Sequence, residues 1–291
     1  MPLTFTRKFR ARYYECDAFG HVNNTNYLRY MQEAAFDASA AAGYDFARYD
    51  ALGHYWLVRE TDVEYLKPLR YGDSFEVKTW GIDFRRVRSR RAYEFRQAGT
   101  DDLIARAQTD WVYLDNVTGR PATVPPAMIA AFFPEGAPPP APARDPFPAA
   151  PPPPPGVFSI RRRVLWQDID AARHVNNAVY LSYAEDCGTQ VLEAYGWPMM
   201  RMMAEGFVIL FRRHRIEYLQ PAVQGDELEV ATWAFDVKRA TATRYYTLTR
   251  VSDGALLARV HTLGVWVNHS TGQPVSIPTN FRLDFAPNLV E

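Results

Sequence analysis

The chain has 291 residues, 47% of them hydrophobic and 14% aromatic, and its 33 basic and 33 acidic side chains give a formal net charge of zero. This length and apolar content are enough for two ordinary globular domains. A neutral chain has no bulk attraction for nucleic acid or for an anionic membrane, and the sequence contains no apolar run long enough to span a bilayer. We therefore expect neither nucleic acid nor a membrane among its partners.

The first clear element is a helix that begins near Asn23 and Asn24, two residues suited to capping a helix N-terminus. Apolar residues then recur at helical spacing from Tyr27 to Ala42. Gly43 follows, at a position where glycine commonly ends a helix. The sequence thus predicts one long helix in this region.

Four segments after this helix are rich in β-branched and aromatic residues and are separated by typical turn sequences, one of them at residues 99–101. The predicted strands are residues 55–65, 74–84, 86–96 and 103–114. Because short turns join consecutive strands, we expect an antiparallel sheet. A helix followed by such strands predicts an α+β domain with the helix packed on one face of the sheet.

Residues 134–156 form a proline-rich segment that reads PEGAPPPAPARDPFPAAPPPPPG. Proline fixes φ and lacks a backbone donor, so this segment cannot be a helix or a central strand. We expect an extended polyproline II conformation. A disordered spacer and a semi-rigid strap both fit this composition.

The chain after this segment repeats the chain before it without a gap. His21 pairs with His174 (174 − 21 = 153), and the same offset pairs Asp17 with Asp170. Copies of this length indicate whole domains rather than a solenoid. We therefore expect domains at residues 1–133 and 157–291, joined by the linker at 134–156.

The expected compartment follows from the N-terminus and the cysteines. The first residues, MPLTFTRKFRARYYE, lack the apolar core of a signal peptide. Only two cysteines occur, Cys16 and Cys187, and they lie at non-equivalent positions of the repeat. A disulfide framework is not expected, and the reducing cytoplasm is the expected location.

The most informative motif opens each predicted helix. It reads DAFGHVNNTNYL at residues 17–28 and DAARHVNNAVYL at residues 170–181. An aspartate, then Gly-His-Val-Asn-Asn, then Tyr-Leu resembles the signature of hotdog-fold thioesterases of the 4-hydroxybenzoyl-CoA thioesterase type and of the related acyl-CoA and acyl-carrier-protein thioesterases. The resemblance extends over nearly all of each copy.

This resemblance implies two hotdog domains in tandem, each a long helix wrapped by an antiparallel sheet, paired side by side as an intrachain pseudo-dimer. It also implies a hydrolase of acyl-CoA or acyl-carrier-protein thioesters that acts in lipid metabolism. No metal and no cofactor are expected, apart from coenzyme A as part of the substrate or product. A homo-oligomer of the whole chain is left open.

Asp17 and Asp170 carry the expected chemistry. Each lies in the loop just before a predicted helix. A carboxylate in that position can attack a thioester carbonyl or activate water. The unpaired N–H groups of the helix N-terminus can then hold the developing oxyanion. The resemblance assigns these roles to the matching aspartate and helix start. Bracing of the loop through backbone hydrogen bonds is the alternative role for each aspartate.

Further residues complete the predicted catalytic set, namely His21, His174, Asn24 and Asn177. We expect the histidines mainly to order the loops. The asparagines are expected first of all to cap the helices, with substrate contact secondary.

The residues expected to bind substrate are Gly20, Tyr27, Tyr180, Arg88 and Arg90. Glycine allows close backbone approach, and the tyrosines are expected in the core or the pocket wall. The arginines belong to a basic strand, which could bind the phosphates of coenzyme A or an acidic carrier protein. The alternative is that these arginines pair with nearby acids. Arg173 takes the place of Gly20 in the second copy, which puts the second site in doubt.

Glu33 and Asp186 are equivalent helix acids and form a reserve catalytic pair, because some hotdog thioesterases use a helix carboxylate. Solvation or salt bridging is the other interpretation. Cys16 suggests a Cys–His nucleophile, but its equivalent Ile169 cannot serve in a shared mechanism.

Two other functions fit a hotdog chain, namely a non-catalytic acyl-thioester-binding protein and a dehydratase. Both copies keep the aspartate and the His-Val-Asn-Asn sequence. These features favour the thioesterase over either alternative.

Overall fold

The computed structural model describes residues 1–100, 102–136 and 143–290. The chain divides into two compact units, Met1–Asp145 and Pro146–Glu291. Each unit consists of an antiparallel sheet with one long helix and shorter helices. No helix within the described ranges combines the length and the apolar character needed to cross a membrane.

The sheet of the first unit has the strand order β1–β3–β4–β5–β2, with every neighbouring pair antiparallel. Its strands are β1 (Thr4–Arg10), β2 (His54–Tyr65), β3 (Ser74–Phe84), β4 (Arg88–Gln97) and β5 (Leu103–Asp115). Its helices are α1 (Asn24–Ala41), α2 (Phe46–Leu52) and α3 (Pro126–Phe132).

The second unit repeats this arrangement in the order β6–β8–β9–β10–β7. Its strands are β6 (Phe158–Arg163), β7 (Phe207–Tyr218), β8 (Glu227–Phe235), β9 (Thr241–Arg250) and β10 (Leu256–Asn268). Its helices are α4 (Asn177–Ala194), α5 (Met199–Ala204) and α6 (Thr279–Asp284).

The long helix α1 packs on β1 and β3 through an apolar face. Tyr27, Leu28 and Met31 on this face are at most 2% exposed. Burial of each such side chain contributes about 1.5–3 kcal/mol. Because the apolar side chains recur at helical spacing, they fix the rotation of α1 and with it the position of its first turn.

The predicted α+β class, the long helix and the four strands are confirmed, with strand ends that differ from prediction by at most two residues. Gly43 ends the helix region with a φ of 80°, as expected of a terminating glycine. The edge strand β1 and the short helices α2 and α3 were not predicted. In β1, Phe5, Arg7 and Phe9 alternate with more exposed neighbours.

The predicted linker is only partly described, since residues 137–142 lie outside the described residues, as does Asp101 of one predicted turn. Residues 143–156 contain neither helix nor strand. Within them, Phe147 packs edge-on against Tyr245 at 6.4 Å between ring centroids. The guanidinium groups of Arg215 and Arg259 lie over the same ring, at 5.5 and 4.8 Å. The linker around Phe147 therefore packs within the second unit, whereas Arg144 pairs with Glu60 of the first unit at 3.0 Å.

Candidate active site

The loop before α1 is closed by the half-buried Asp17. Its Oδ1 accepts hydrogen bonds from the backbone N–H groups of Phe19 (2.9 Å) and His21 (3.1 Å). The backbone N–H of Asp17 donates in turn to the carbonyl of His21 at 2.7 Å. Oδ2 of Asp17 accepts no hydrogen bond from any residue that the structure describes. One carboxylate oxygen thus anchors the loop, and the other is available for chemistry.

Helix α1 begins directly after this loop. Oδ1 of Asn23 accepts the N–H of Thr25 at 2.9 Å, which makes Asn23 the N-cap and Asn24 the first helical residue. The Tyr65 hydroxyl donates to the carbonyl of Asn24 at 3.4 Å and ties β2 to the first turn. The partial positive charge of a helix N-terminus therefore lies close in sequence and space to the Asp17 loop.

The second loop has the same design around Asp170. Its Oδ1 accepts the N–H of Ala172 at 2.9 Å, and Asn176 again caps the helix, through the N–H of Ala178 at 3.0 Å. Its Oδ2, however, accepts a hydrogen bond from the side-chain amide of Asn176 at 3.1 Å. Both oxygens of Asp170 are therefore engaged, in contrast to Asp17.

Arg173 keeps the backbone conformation of the glycine that it replaces. Its φ is 67°, close to the 72° of Gly20, and its N–H donates to the carbonyl of Asp170 at 2.9 Å, as Gly20 does to Asp17 at 3.0 Å. The left-handed region costs a residue with a side chain about 1–2 kcal/mol. The second loop thus keeps its shape despite the arginine, at a cost in backbone strain.

A buried acid two residues before each loop aspartate was missed by sequence reasoning. Glu15 accepts the Tyr30 hydroxyl at 2.5 Å and the N–H of Arg12 at 2.7 Å. Asp168 accepts the Tyr183 hydroxyl at 2.7 Å in the equivalent place. These acids hold the short turn before each loop against the helix. Comparison of the two repeats could have identified these residues, because both copies have an acid at this position.

A model of the thioesterase-like superfamily matches residues 11–132 and, separately, residues 164–285. The chain belongs to this superfamily. The two matches begin 153 positions apart (164 − 11 = 153), so this thioesterase-like chain carries the family domain twice, as its sequence predicts.

Two curated relatives represent two kinds of thioester hydrolase. The chloroplastic acyl-acyl-carrier-protein hydrolase FATB2 of Cuphea viscosissima is 26% identical over 203 residues, which are 66% of this chain and 49% of that protein. The acyl-CoA thioester hydrolase YbgC of Escherichia coli is 27% identical over 123 residues, which are 42% of this chain and 91% of that protein. The chain thus spans about half the length of the first relative.

Solved structures resemble the chain over most of its length. The 12:0-ACP thioesterase from Umbellularia californica has a TM-score of 0.72 at 18% identity, with 90% of this chain and 94% of that chain covered. An acyl-ACP thioesterase from Bacteroides thetaiotaomicron has a TM-score of 0.68 at 16% identity, with 90% and 97% covered. These likenesses confirm the fold, a tandem of two hotdog domains.

The predicted histidines lie in the two loops, and the predicted tyrosines bond the backbone of a neighbouring segment. His21 bonds Asp17 through its backbone, and burial lowers the pKa of its imidazole, with the nearby Arg70 lowering it further. Tyr27 and Tyr180 are buried, and their hydroxyls accept the N–H groups of Leu69 (3.3 Å) and Ala222 (2.8 Å). Burial raises the pKa of Tyr180 to about 12.

The reserve acids Glu33 and Asp186 both form ion pairs. Glu33 lies 3.0 Å from Nη1 of Arg7, which also pairs with Asp37 at 2.8 Å. Asp186 lies 2.7 Å from Nη1 of Arg162. In both units a strand arginine therefore holds the helix acid.

The basic strand β4 turns much of its charge inward. Arg90 is 10% exposed and forms a two-pronged ion pair with Asp83, at 3.2 Å from Nε to Oδ1 and 2.9 Å from Nη2 to Oδ2. Arg88 remains 48% exposed, 3.8 Å from Asp110. The two predicted substrate contacts therefore lie in very different surroundings.

The two cysteines differ sharply in environment. Cys16 is half-buried, and its thiol donates to the carbonyl of Arg12 at 3.7 Å. Cys187 is completely buried on α4, next to the carbonyl of Val230 at 3.3 Å. Burial raises the pKa of the Cys187 thiol to about 12.

The second unit also buries a histidine, His214, which is 1% exposed. Its Nδ1 lies 2.9 Å from Oγ1 of Thr262, and its Nε2 lies 4.0 Å from Glu185. Burial lowers the pKa of His214 to about 3, and His261 lowers it further. The equivalent positions of the first unit hold Gln32, Thr61 and Thr109. The two units therefore differ in polar chemistry beneath the long helix as well as in the loop.

Proposed function

We propose that this chain hydrolyses acyl thioesters carried by acyl carrier protein or by coenzyme A. One observation carries the proposal, namely the Asp17 carboxylate at the start of α1, with Oδ1 held by two backbone N–H groups and Oδ2 without a hydrogen-bond donor among the described residues. Membership of the thioesterase-like superfamily and relatives acting on both carriers support it.

Two routes start from this geometry. In the first, Asp17 takes a proton from water, hydroxide adds to the thioester carbonyl, and the C–S bond breaks to release the thiol. In the second, Asp17 itself attacks the carbonyl, the thiol leaves, and water hydrolyses the resulting anhydride. Repeated turnovers in ¹⁸O-labelled water test the second route, because attack of water on the Asp17 carbonyl of the anhydride places an isotope label in the Asp17 side chain and the first route never does.

The first turn of α1 supplies the second half of the proposed mechanism. Its backbone N–H groups and helix dipole stabilise negative charge on the thioester oxygen as the carbonyl becomes tetrahedral. We propose that Asn24 positions this turn and that His21, neutral near pH 7 because its pKa is lowered, orders the loop. Asn177 and His174 have the same proposed roles in the second unit.

The proposed substrate contacts divide by exposure. Gly20 and Arg88 lie at the surface, so we propose direct contact with the substrate for these two. Tyr27, Tyr180 and Arg90 have little exposed surface, so we propose that they shape the site from behind. Glu33 and Asp186 remain reserve acids, each released only if its arginine partner moves.

Removal of the loop carboxylates tests the proposal. We expect Asp17→Asn to lower kcat by about 10²–10⁴-fold, the range typical of a lost general base or nucleophile. Asp170→Asn should have a smaller effect, because both of its oxygens are already bonded. The measurement is thiol release from a panel of acyl carrier proteins and acyl-CoAs, with the exposed Asp50→Asn as the matched control.

The possible results separate the rival functions. Full activity in the Asp17→Asn, Asp170→Asn double variant would contradict the proposed mechanism. If the natural chain released no thiol from any thioester but bound the acyl carriers, it would be a binding protein instead. The proposed chemistry uses no metal or cofactor. The two free cysteines fit the reducing cytoplasm that we propose as its location.

A further inference from the structure

A groove of about 820 Å³ lies on the first unit, between β1, the turn that follows it and one flank of α1. Five cationic side chains line it, namely Arg7, Lys8, Arg10, Arg12 and Arg29. Two acids, Glu15 and Glu33, line it as well. The five cations outnumber the two acids, so the groove has an excess of positive charge although the chain as a whole is neutral.

The acids of the groove are already committed. Glu15 is 8% exposed and accepts the Tyr30 hydroxyl and a backbone N–H, while Glu33 pairs with Arg7. Arg10 and Arg29 form no ion pair with any residue in the described ranges. Their charge therefore remains available to a partner.

Three tyrosines protrude at the rim of the groove. Tyr13 is 78% exposed, Tyr14 75% and Tyr71 60%, although tyrosine usually buries most of its ring. Tyr13 and Tyr71 meet edge to face at 5.8 Å, and Arg12 donates to the Tyr14 hydroxyl at 2.9 Å. Exposed tyrosines interleaved with arginines are typical of protein-binding hot spots.

The second unit lacks most of this surface, although its fold is the same. The positions of Arg12, Tyr14, Arg29 and Tyr71 are held there by Leu165, Gln167, Ser182 and Gln224. Among the cations and protruding tyrosines, only the positions of Lys8, Arg10 and Tyr13 keep their character, as Arg161, Arg163 and Trp166. The groove is therefore a property of the first unit and not a requirement of the hotdog fold.

The groove is joined directly to the proposed catalytic loop. The carbonyl of Glu15, at the end of the turn that carries Tyr13 and Tyr14, accepts the N–H of Asn23 and the side-chain amide of Asn26, both at 2.9 Å. A partner seated on this turn would lie next to the loop that begins at Asp17. It would not need to enter the loop itself.

We propose that this groove docks the acidic surface of an acyl carrier protein, which then delivers its acyl group to the Asp17 loop on its flexible arm. The inference rests on the proposed thioesterase function and names the carrier for that site. Charge complementarity favours an acidic partner. The tyrosines protrude from the rim and do not enclose a small ligand, which favours a protein over the nucleotide of coenzyme A.

The test compares carriers, using the full chain. We expect the double variant Arg10→Glu, Tyr14→Ala to raise KM for an acyl carrier protein about tenfold, because exposed interface charges act mainly on association. Its kcat at saturation, and its hydrolysis of acyl-CoA and of acyl-pantetheine, should stay as in the natural chain. The rise in KM for the carrier should be smaller at high salt concentration, because salt screens exposed charges.

Two further variants complete the design. Arg29→Ser, Tyr71→Gln installs the residues of the second unit and should raise KM for the carrier in the same way. The matched control, Arg163→Glu, Gln167→Ala, makes the equivalent changes in the second unit and should leave KM unchanged. Thermal unfolding of each variant checks that the fold is retained.

The outcomes keep this inference apart from the proposed function. Unchanged carrier KM in both groove variants, with the natural chain active, would overturn the docking site and leave the thioesterase proposal intact. A loss for acyl-CoA alone, with the carrier and acyl-pantetheine unaffected, would assign the groove to the nucleotide of coenzyme A and overturn the proposal. Equal losses for the carrier and acyl-CoA, with acyl-pantetheine unaffected, would assign the groove to the phosphate of the pantetheine arm and overturn it as well. If the natural chain hydrolyses no thioester, the function fails, and calorimetric titration with the carrier alone still decides whether the groove binds it.

Discussion

Arg173 adds backbone strain to the second loop without changing the path of its backbone. It occupies the left-handed region that Gly20 occupies without strain in the first unit. The hydrogen bonds of the two loops show that the backbone absorbs the substitution. The sequence correctly marked this position as the main difference between the loops, but whether the loop would deform depended on the surrounding bonds.

Relief of this strain is measurable. We expect Arg173→Gly to raise the free energy of unfolding by about 0.5–1 kcal/mol. The substitution removes the penalty of the left-handed conformation, and the greater conformational freedom of glycine in the unfolded chain offsets part of this gain. Chemical denaturation measures it, and Gly20→Arg should lower stability by a similar amount. A loss of stability in Arg173→Gly would mean that the arginine side chain makes contacts that outweigh its strain.

His214 predicts a pH dependence of stability. The pKa of His214 is about 3 in the folded chain against 6.5 for an ordinary histidine. Between these two pH values the unfolded chain binds a proton at this histidine and the folded chain does not. Its contribution is therefore fully present above pH 6.5 and is lost as the pH falls toward 3, with a slope of up to about 1.4 kcal/mol per pH unit.

The variant His214→Thr, which installs the residue found at Thr61, should remove this part of the slope. The measurement is the difference between the unfolding free energies of variant and natural chain across this pH range. The exposed His269→Thr serves as the control for the substitution itself. A difference curve that stays flat for His214→Thr would contradict the buried, neutral state of His214.

At the scale of elements, the first turn of α1 links stability to the proposed chemistry. Asn23→Ala removes the cap on the Thr25 N–H and should lower the free energy of unfolding by about 1 kcal/mol. Because the same turn is the proposed oxyanion site, kcat for thioester hydrolysis should fall as well. Thiol release and chemical denaturation are measured on the same samples.

A second cap provides the comparison. Asp45 caps α2 by accepting the N–H of Arg48 at 2.9 Å. We expect Asp45→Ala to lower stability by about the same amount and to leave kcat unchanged. Equal kcat in both variants would show that the first turn of α1 has no role in the reaction.

The elements that the sequence predicted well are those with strong local signals. The period of apolar residues from Tyr27 and the cap at Asn23 define α1 without reference to the rest of the fold. The edge strand β1 was missed because its alternation is carried by Arg7 as well as by phenylalanines. Arginine counts as polar in a pattern, yet its stem packs here and its guanidinium lies 4.9 Å over the Phe9 ring.

For the whole molecule, the repeat acted as an internal alignment of two sequences. It identified Asp17, His21 and Asn24 through their counterparts, and each lies in or beside the candidate loop. It could not tell which arginines of β4 face solvent, because burial of Arg90 depends on Asp83, seven residues earlier on the neighbouring strand. Nor could it find the groove, whose lining comes from β1, a turn and α1 together.

The contrast between the two thiols has a practical consequence. Thiolate reactivity requires access and an ordinary or lowered pKa, and Cys187 has neither. A maleimide fluorophore added to the folded chain should therefore attach at Cys16, one residue before Asp17. The natural sequence thus offers an optical reporter beside the proposed catalytic loop, which can test for the arrival of the proposed acyl carrier without any cysteine being introduced or removed.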